Sequence, residues 1–293
     1  MVVDYDKITL MDYISVEQKG TDLILTGIKN FIPAQILDCG QCFRWLSSNN
    51  SYIGITHGRR LEITLETGRV DKLILKNVTR DEFETIWCDY FDLGRDYGEL
   101  RRIYAADATL NEAITFSPGL RLIRQDPWEV LVTFILSQNS NIPRIKGMVA
   151  RLCEIFGAAV PGGNSTGGGF SFPTPEALAT LSADDLSAVK CGYRDKYIID
   201  AARRVAEGRL NLENLQNKPS EDVRRALMEV SGVGPKVADC VLLYGFGRVE
   251  RYPLDVWMKR VMAKYYPEGF PRELEDTAGI AQQFLFHYAR SNA

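Results

Sequence analysis

The chain has no run approaching eighteen consecutive apolar residues, so it offers no candidate for a membrane-spanning helix. Its start, MVVDYDKITL, has neither a basic segment leading into an apolar core nor an Arg-rich amphipathic character, which makes a cytoplasmic or nucleoid location the expectation. Its six cysteines show neither paired CxxC motifs nor the Cys/His spacing of a zinc site. The single CxxC, Cys39 to Cys42, precedes an aromatic and basic run rather than opening the helix of a βαβ unit, so the six are read as reduced thiols, mostly packing residues. An excess of positive charge is also missing, and a net charge of −3 argues against a generic basic nucleic-acid binder. No tandem repeat is visible.

The charge that is present is unevenly placed. Residues 1–115 are net −5 and the remainder is net +2. Arg144, Lys146 and Arg151 cluster without an acid among them, and Lys190, Arg194, Lys196, Arg203 and Arg204 outnumber Asp195 and Asp200. Local clusters of this kind steer phosphate binding even in an acidic chain, so any DNA-binding face is expected in the second part.

Two regimes of hydrophobic spacing define the fold class. Leu61, Ile63 and Leu65 alternate with Glu62, Thr64 and Glu66, then a turn at Thr67-Gly68 leads to a strand through Leu73 and Leu75. From about residue 110 the period becomes helical, and Asp126-Pro127-Trp128-Glu129 supplies an N-cap, a proline at the first helical position and a capping acid. Ser137 to Asn141 interrupts as an exposed turn, and a second helix resumes at Pro143. The expectation is an α+β protein with an N-terminal antiparallel sheet domain over 1–115 and an all-helical domain over 116–293. A Gly-rich loop near 158–171 is expected to be a mobile surface segment.

One segment carries chemistry. Val223, Ala226, Leu227 and Val230 have helical spacing, Ser231-Gly232-Val233-Gly234 breaks it, and Pro235 starts another helix. Gly232 and Gly234 let the backbone take positive φ and approach a ligand, while the unpaired N–H groups of the new helix point at it with the positive dipole end. On spacing alone the same glycines equally make a helix C-cap and a tight turn. Lys236 sits at the second position of the new helix, where the dipole disfavours a cation and favours the neutral amine a lysine nucleophile requires. Cys240, one turn on, shares its face, as a pocket wall or a small buried hydrophobe. Asp255 follows Pro253-Leu254 ahead of a further helix, as an N-cap, a catalytic carboxylate, or both.

Together, Leu227 to Cys240 (LMEVSGVGPKVADC) and Tyr252-Pro-Leu-Asp-Val256 resemble the helix-hairpin-helix, Gly/Pro-Asp superfamily of DNA glycosylases. Within it the chain is most similar to the 8-oxoguanine DNA glycosylases, through Gly40-Gln-Cys-Phe-Arg-Trp45, Arg124-Gln-Asp-Pro127, Ser137 to Ile142, Gly192-Tyr-Arg194 and Ala281 to Phe286. The resemblance implies a monomeric glycosylase and abasic-site lyase acting on duplex DNA that carries a damaged purine, with no metal or organic cofactor. It implies that Lys236 attacks C1′ with help from Asp255, and that Gly232, Val233 and Gly234 hold a phosphate. Gly40 would read N7 of the damaged base, Gln282 its Watson-Crick edge, and Phe286 would stack opposite the Cys240 side. Asn139 would fill the vacated space, Tyr193 would wedge beside it, and Arg144 and Arg194 would address the orphaned cytosine.

Two departures from the family pattern stand out: Trp257 replaces a phosphate-contacting histidine, and Ser140 replaces an asparagine. No cysteine follows Cys240, which excludes the terminal iron-sulfur cluster of the related endonuclease III branch. Two other readings stay open from the residues: a glycosylase for another oxidised or alkylated base, and a non-catalytic hairpin protein that only clamps phosphate.

Overall fold

The computed structural model describes residues 11–68, 71–162 and 169–292. Six strands, β1 (Ser15–Lys19), β2 (Asp22–Thr26), β3 (Trp45–Ser48), β4 (Ser51–Thr56), β5 (Arg59–Glu66) and β6 (Lys72–Lys76), form one antiparallel sheet in the order β1-β2-β6-β5-β4-β3. Register places Leu23 and Ile63 on either side of Leu75, and Leu25 and Leu65 on either side of Leu73. The period-two alternation therefore aligns Leu23, Leu25, Leu61, Ile63, Leu73 and Leu75 on one buried face. Trp45, Phe83, Trp87, Tyr90 and Phe91 join the same core. Tyr90 and Phe91 meet edge to face at 4.9 Å, and the Trp45 indole N–H donates to the Tyr90 hydroxyl at 2.8 Å.

The longer helices in chain order are α1 (Pro33–Leu37), α2 (Tyr97–Tyr104), α3 (Ala108–Phe116), α4 (Pro127–Ser137), α5 (Ile142–Phe156), α6 (Asp195–Ala206), α7 (Ser220–Met228), α8 (Pro235–Tyr244), α9 (Val256–Tyr265) and α10 (Ala278–Ser291). α4 starts where the cap signal placed it: the Asp126 carboxylate accepts the Glu129 N–H, with Pro127 in the first turn. Every residue from Trp128 to Leu136 is buried, so α4 is a core helix of its unit rather than an amphipathic one.

The chain folds as two compact units. One contains residues 11–53, 61–124 and 256–292, and the other contains 54–60 and 125–255. These units follow a different division from the change of period near residue 115, because α9 and α10 return to the sheet unit. The Tyr104 hydroxyl donates to the Thr277 carbonyl at 3.1 Å, and Tyr266 donates to Asp107 at 2.8 Å. Periodicity registers which face of a helix is apolar but not which distant element covers it. Residues 163–168 of the expected Gly-rich loop lie outside the described residues. Its flanks pair, with Val160 N–H on the Gly169 carbonyl at 2.7 Å and Ser171 N–H on the Ala158 carbonyl at 2.8 Å.

An ion pair is buried in the sheet unit. Arg121 is wholly inaccessible, its guanidinium lies 3.1 Å from Asp12 and 4.3 Å from the Tyr97 ring centroid, and it donates to the Asp92 carbonyl at 3.0 Å. Burial pushes the Asp12 carboxyl above its ordinary range against the pull of Arg121. Removing one partner strands the other charge in a low dielectric, at a cost of about 3–5 kcal/mol. Asp12→Ala is accordingly expected to lower unfolding stability in urea by that order, and Asp12→Ala with Arg121→Met to lose less. Equal losses in the two variants would contradict this account.

Candidate active site and DNA-facing hairpin

The hairpin lies wholly in the second unit. Gly232 has φ +78°, and a Cβ there would come within 2.4 Å of the Tyr197 ring, so both its conformation and its neighbour require glycine. Gly234 departs from expectation: its φ is −97° with ψ −178°, extended backbone open to any residue, and it serves as the N-cap of α8. The freedom at positive φ is thus needed once, and Gly234 contributes by bringing no side chain over the helix N-terminus. Val233 packs inward, with its N–H on the Val230 carbonyl at 3.0 Å.

Asp200, on α6, holds the hairpin from behind. Its carboxylate accepts the Ser231 N–H at 2.8 Å and is bridged by Arg204 at 3.1 Å. Burial pulls its pKa upward, but the Ser231 N–H and hydroxyl together with Arg204 outweigh that and hold it below the ordinary carboxylate value. The Ser-Gly-Val-Gly pattern carries no sign of this support, which comes from thirty-one residues upstream.

Lys236 is half-buried in the first turn of α8, its ammonium 5.1 Å from the Phe134 ring centroid. Phe134 in turn stacks on Tyr244 of the same helix at 5.4 Å with planes 13° apart. Cys240 is buried, its thiol hydrogen-bonds Lys236, and the charge of Asp255 also reaches it. Burial pushes the thiol pKa up to about 11, with Lys236 pulling the other way, so near neutral pH Cys240 is a protonated wall rather than a thiolate. Asp255 directly precedes α9, the place of an N-cap. The structure sets Cys240 beside Lys236, as their spacing suggested, and brings the Asp255 charge to Cys240, which spacing did not show. It adds Phe134, an apolar residue of the buried α4.

The turn between α4 and α5 carries the next group. Asn139 is exposed in the left-handed region at φ +46°, which asparagine tolerates better than most residues. Arg144 is exposed on the first turn of α5, and Tyr193 is 49% exposed. Arg194 differs from its neighbours, being 2% exposed with its guanidinium committed to backbone. Its Nε donates to the Gln138 carbonyl at 3.0 Å, Nη1 to Cys191 at 2.9 Å, and Nη2 to both Gln138 and, at 3.2 Å, Asn139. The two arginines read alike in sequence. In the folded chain only Arg144 presents its fork to solvent, while Arg194 clamps the turn that displays Asn139.

In the sheet unit, Gly40 has φ +95°. Gln282 and Phe286 lie one turn apart on one face of α10. Gln282 is 2% exposed and its side-chain oxygen has no partner among the described residues, a costly arrangement unless a ligand donates to it. Phe286 is half-buried, unlike Phe284 and Leu285, which are core. Trp257 is half-buried on α9 with the Arg260 guanidinium 5.1 Å over its ring.

Comparison with known proteins places this arrangement. Residues 132–276 match the HhH-GPD superfamily of base excision DNA repair proteins, and residues 23–131 match the N-terminal domain of 8-oxoguanine DNA glycosylase. A Saccharomyces cerevisiae N-glycosylase/DNA lyase is 32% identical over an alignment of 267 positions that covers 80% of this chain and 68% of that one. The Clostridium acetobutylicum 8-oxoguanine glycosylase/lyase, solved with double-stranded DNA containing cytosine opposite 8-oxoguanine, is 34% identical with a TM-score of 0.88, covering 96% of this chain and 99% of that one. MBOgg1, solved with a low-affinity DNA ligand, is 42% identical with a TM-score of 0.89 over the same shares. The fold and hairpin define a base-excision DNA repair enzyme. Within that class, the chain belongs to the 8-oxoguanine DNA glycosylase family.

The support of Ser231 by Asp200 gives a pH-dependent expectation. A carboxyl held below its unfolded pKa adds stability that is full above the unfolded value, about pH 4, and is lost as pH falls through the folded one. Asp200→Asn should therefore cost about 1 kcal/mol in chemical unfolding near neutral pH. Its curve should converge on the wild type in acid below about pH 4. A deficit that persists unchanged in acid would rule the linkage out.

Proposed function

We propose that this enzyme excises 8-oxoguanine opposite cytosine from duplex DNA and cleaves the resulting site through Lys236. The observation that carries the reading is the Lys236 amine at the start of α8, set over the Phe134 ring and hydrogen-bonded to the Cys240 thiol, which the Asp255 charge also reaches.

The reaction needs the target nucleotide out of the stack, because C1′ is inaccessible within the duplex. Neutral Nζ of Lys236 attacks C1′, the bond to N9 breaks with its electron pair leaving on the base, and a proton transfer neutralises the departing purine. Opening of the sugar ring yields a Schiff base. Removal of a C2′ proton then expels the 3′ phosphate by β-elimination. Asp255 stabilises the positive charge that develops on the sugar and assists the lysine. The protonated Cys240 lines the pocket without competing as a nucleophile.

Recognition divides among the remaining residues. N7 of guanine is an acceptor, whereas N7 of 8-oxoguanine carries a hydrogen, so the Gly40 carbonyl distinguishes the two. The unpartnered Gln282 oxygen accepts from the Watson-Crick edge, and Phe286 stacks on the base. Gly232, Val233 and Gly234 bind a phosphate through the α8 N-terminus. Asn139 fills the space left by the flipped base beside the Tyr193 wedge. Arg144 donates directly to the orphaned cytosine. Arg194 contributes chiefly by holding the Gln138–Asn139 turn, and donates to the base only as those carbonyl bonds are exchanged. The enzyme works as a monomer.

Excision assays separate this reading from its alternatives. A duplex with 8-oxoguanine opposite cytosine should be processed far faster than one carrying 3-methyladenine, and comparable rates would contradict the substrate assignment. Arg144→Ala should reduce the preference for cytosine roughly tenfold, the worth of one charged hydrogen bond, without changing Tm. Arg194→Ala should lower Tm and slow excision opposite every base. Identical phenotypes would show that the two arginines share one role.

A further inference from the structure

Gly40 sits between two peptide planes, and both are held by side chains that the reaction does not use. The carbonyl attributed to damage reading belongs to the Gly40–Gln41 peptide. In a trans peptide the N–H and C=O point in opposite directions, so whatever fixes the Gln41 N–H fixes the Gly40 oxygen. That N–H donates to the Cys39 sulfur. Cys39 is fully buried, and its thiol donates to the Ile36 carbonyl at 3.1 Å and meets the side chain of Gln283. Burial pushes the thiol up to about 11, which keeps its proton available for Ile36 near neutral pH.

The adjoining side chain completes the hold. Gln41 is fully buried, and its amide nitrogen donates to the Ile36 and Arg121 carbonyls, each at 2.9 Å, while its oxygen accepts the Ile123 N–H at 3.0 Å. On the other flank, the Cys39 carbonyl accepts from Arg290 at 3.5 Å. The Arg290 guanidinium also lies 5.9 Å from the centroid of the Phe286 ring, one turn back on α10. A residue at φ +95° with no Cβ has several backbone states of similar energy. Anchors on both flanking peptides select one.

We propose that Cys39, with Gln41 and Arg290 as supports, is a positioning residue that fixes the direction of the Gly40 carbonyl and so sets selectivity for a base bearing hydrogen on N7. The proposal rests on the reading of Gly40 given above. A carbonyl free to rotate loses the one hydrogen bond that tells the damaged base from the normal one, and leaves the rest of the pocket in place.

The test compares single-turnover excision of 8-oxoguanine with that of its 7-deaza analogue, which has carbon in place of N7, and with strand cleavage at a preformed abasic site, which needs no base reading. The wild type should favour 8-oxoguanine over the analogue. Cys39→Ala should shrink that ratio roughly tenfold and leave abasic-site cleavage unchanged, and Cys39→Ser, which keeps an acceptor for the Gln41 N–H, should restore most of it. Should Cys39→Ala fail to fold, as loss of abasic-site cleavage would reveal, Arg290→Ala on the half-buried end of α10 decides, with a smaller fall in the same ratio expected. A wild-type ratio near one would remove the role of Gly40 and the proposal with it. A large wild-type ratio retained in Cys39→Ala, or in Arg290→Ala where that variant decides, would overturn the positioning role alone.

Discussion

The structure turns on a lysine placed where a cation is least comfortable. At the first turn of a helix the unpaired N–H groups repel positive charge, and a half-buried site offers the ammonium little water. Lys236 is kept there by an aromatic face and by the Cys240 thiol, which the Asp255 charge also reaches. The glycine turn in front of α8 brings no side chain over the same helix terminus, so the place proposed for a phosphate and the proposed nucleophile share one feature. The buried α4 supplies Phe134, and α6 supplies Asp200 and Tyr197 behind the turn.

This division of labour explains how an acidic chain can work on DNA. Peptide dipoles and a few well-placed arginines give positive potential where it is needed, without a basic surface. Much of the remaining arginine is structural: Arg194 fastens the Asn139 turn, Arg204 neutralises Asp200, and Arg121 is sealed in the sheet unit. In the sheet unit, Gly40 is flanked by Cys39 and Gln41, and Arg290 reaches the Cys39 carbonyl; each of the three binds backbone.

Local patterns in the sequence were reliable guides to local structure. The alternation through Leu61, Ile63, Leu73 and Leu75, the Asp126-Pro127 start of α4 and the Ser231 to Pro235 hairpin all stand as their spacing predicts, because each is set by neighbours within one strand or turn. Spacing also brought Lys236 and Cys240 to one helix face. What spacing could not register depends on direction or on distant contacts. Arg144 and Arg194 are indistinguishable on paper, yet one faces solvent and the other is spent on carbonyls. Gly234 carries the same signal as Gly232 but takes an extended conformation. Cys39 looked like packing, and its hydrogen bond to the Gln41 N–H follows only from how the chain folds back after α1. The return of α9 and α10 to the sheet unit, and the roles assigned to Gly40, Gln282 and Phe286, had no signature in periodicity; the latter came through resemblance.

The central claim is that the Lys236 amine forms the covalent bond to the sugar. Borohydride reduction during reaction with a duplex carrying 8-oxoguanine opposite cytosine tests it directly, since a Schiff base is reduced to a stable protein–DNA adduct. The account predicts an adduct with the wild type and none with Lys236→Gln, although that variant still binds the duplex. Trapping by Lys236→Gln at the wild-type level, or no trapping by the wild type, would contradict it.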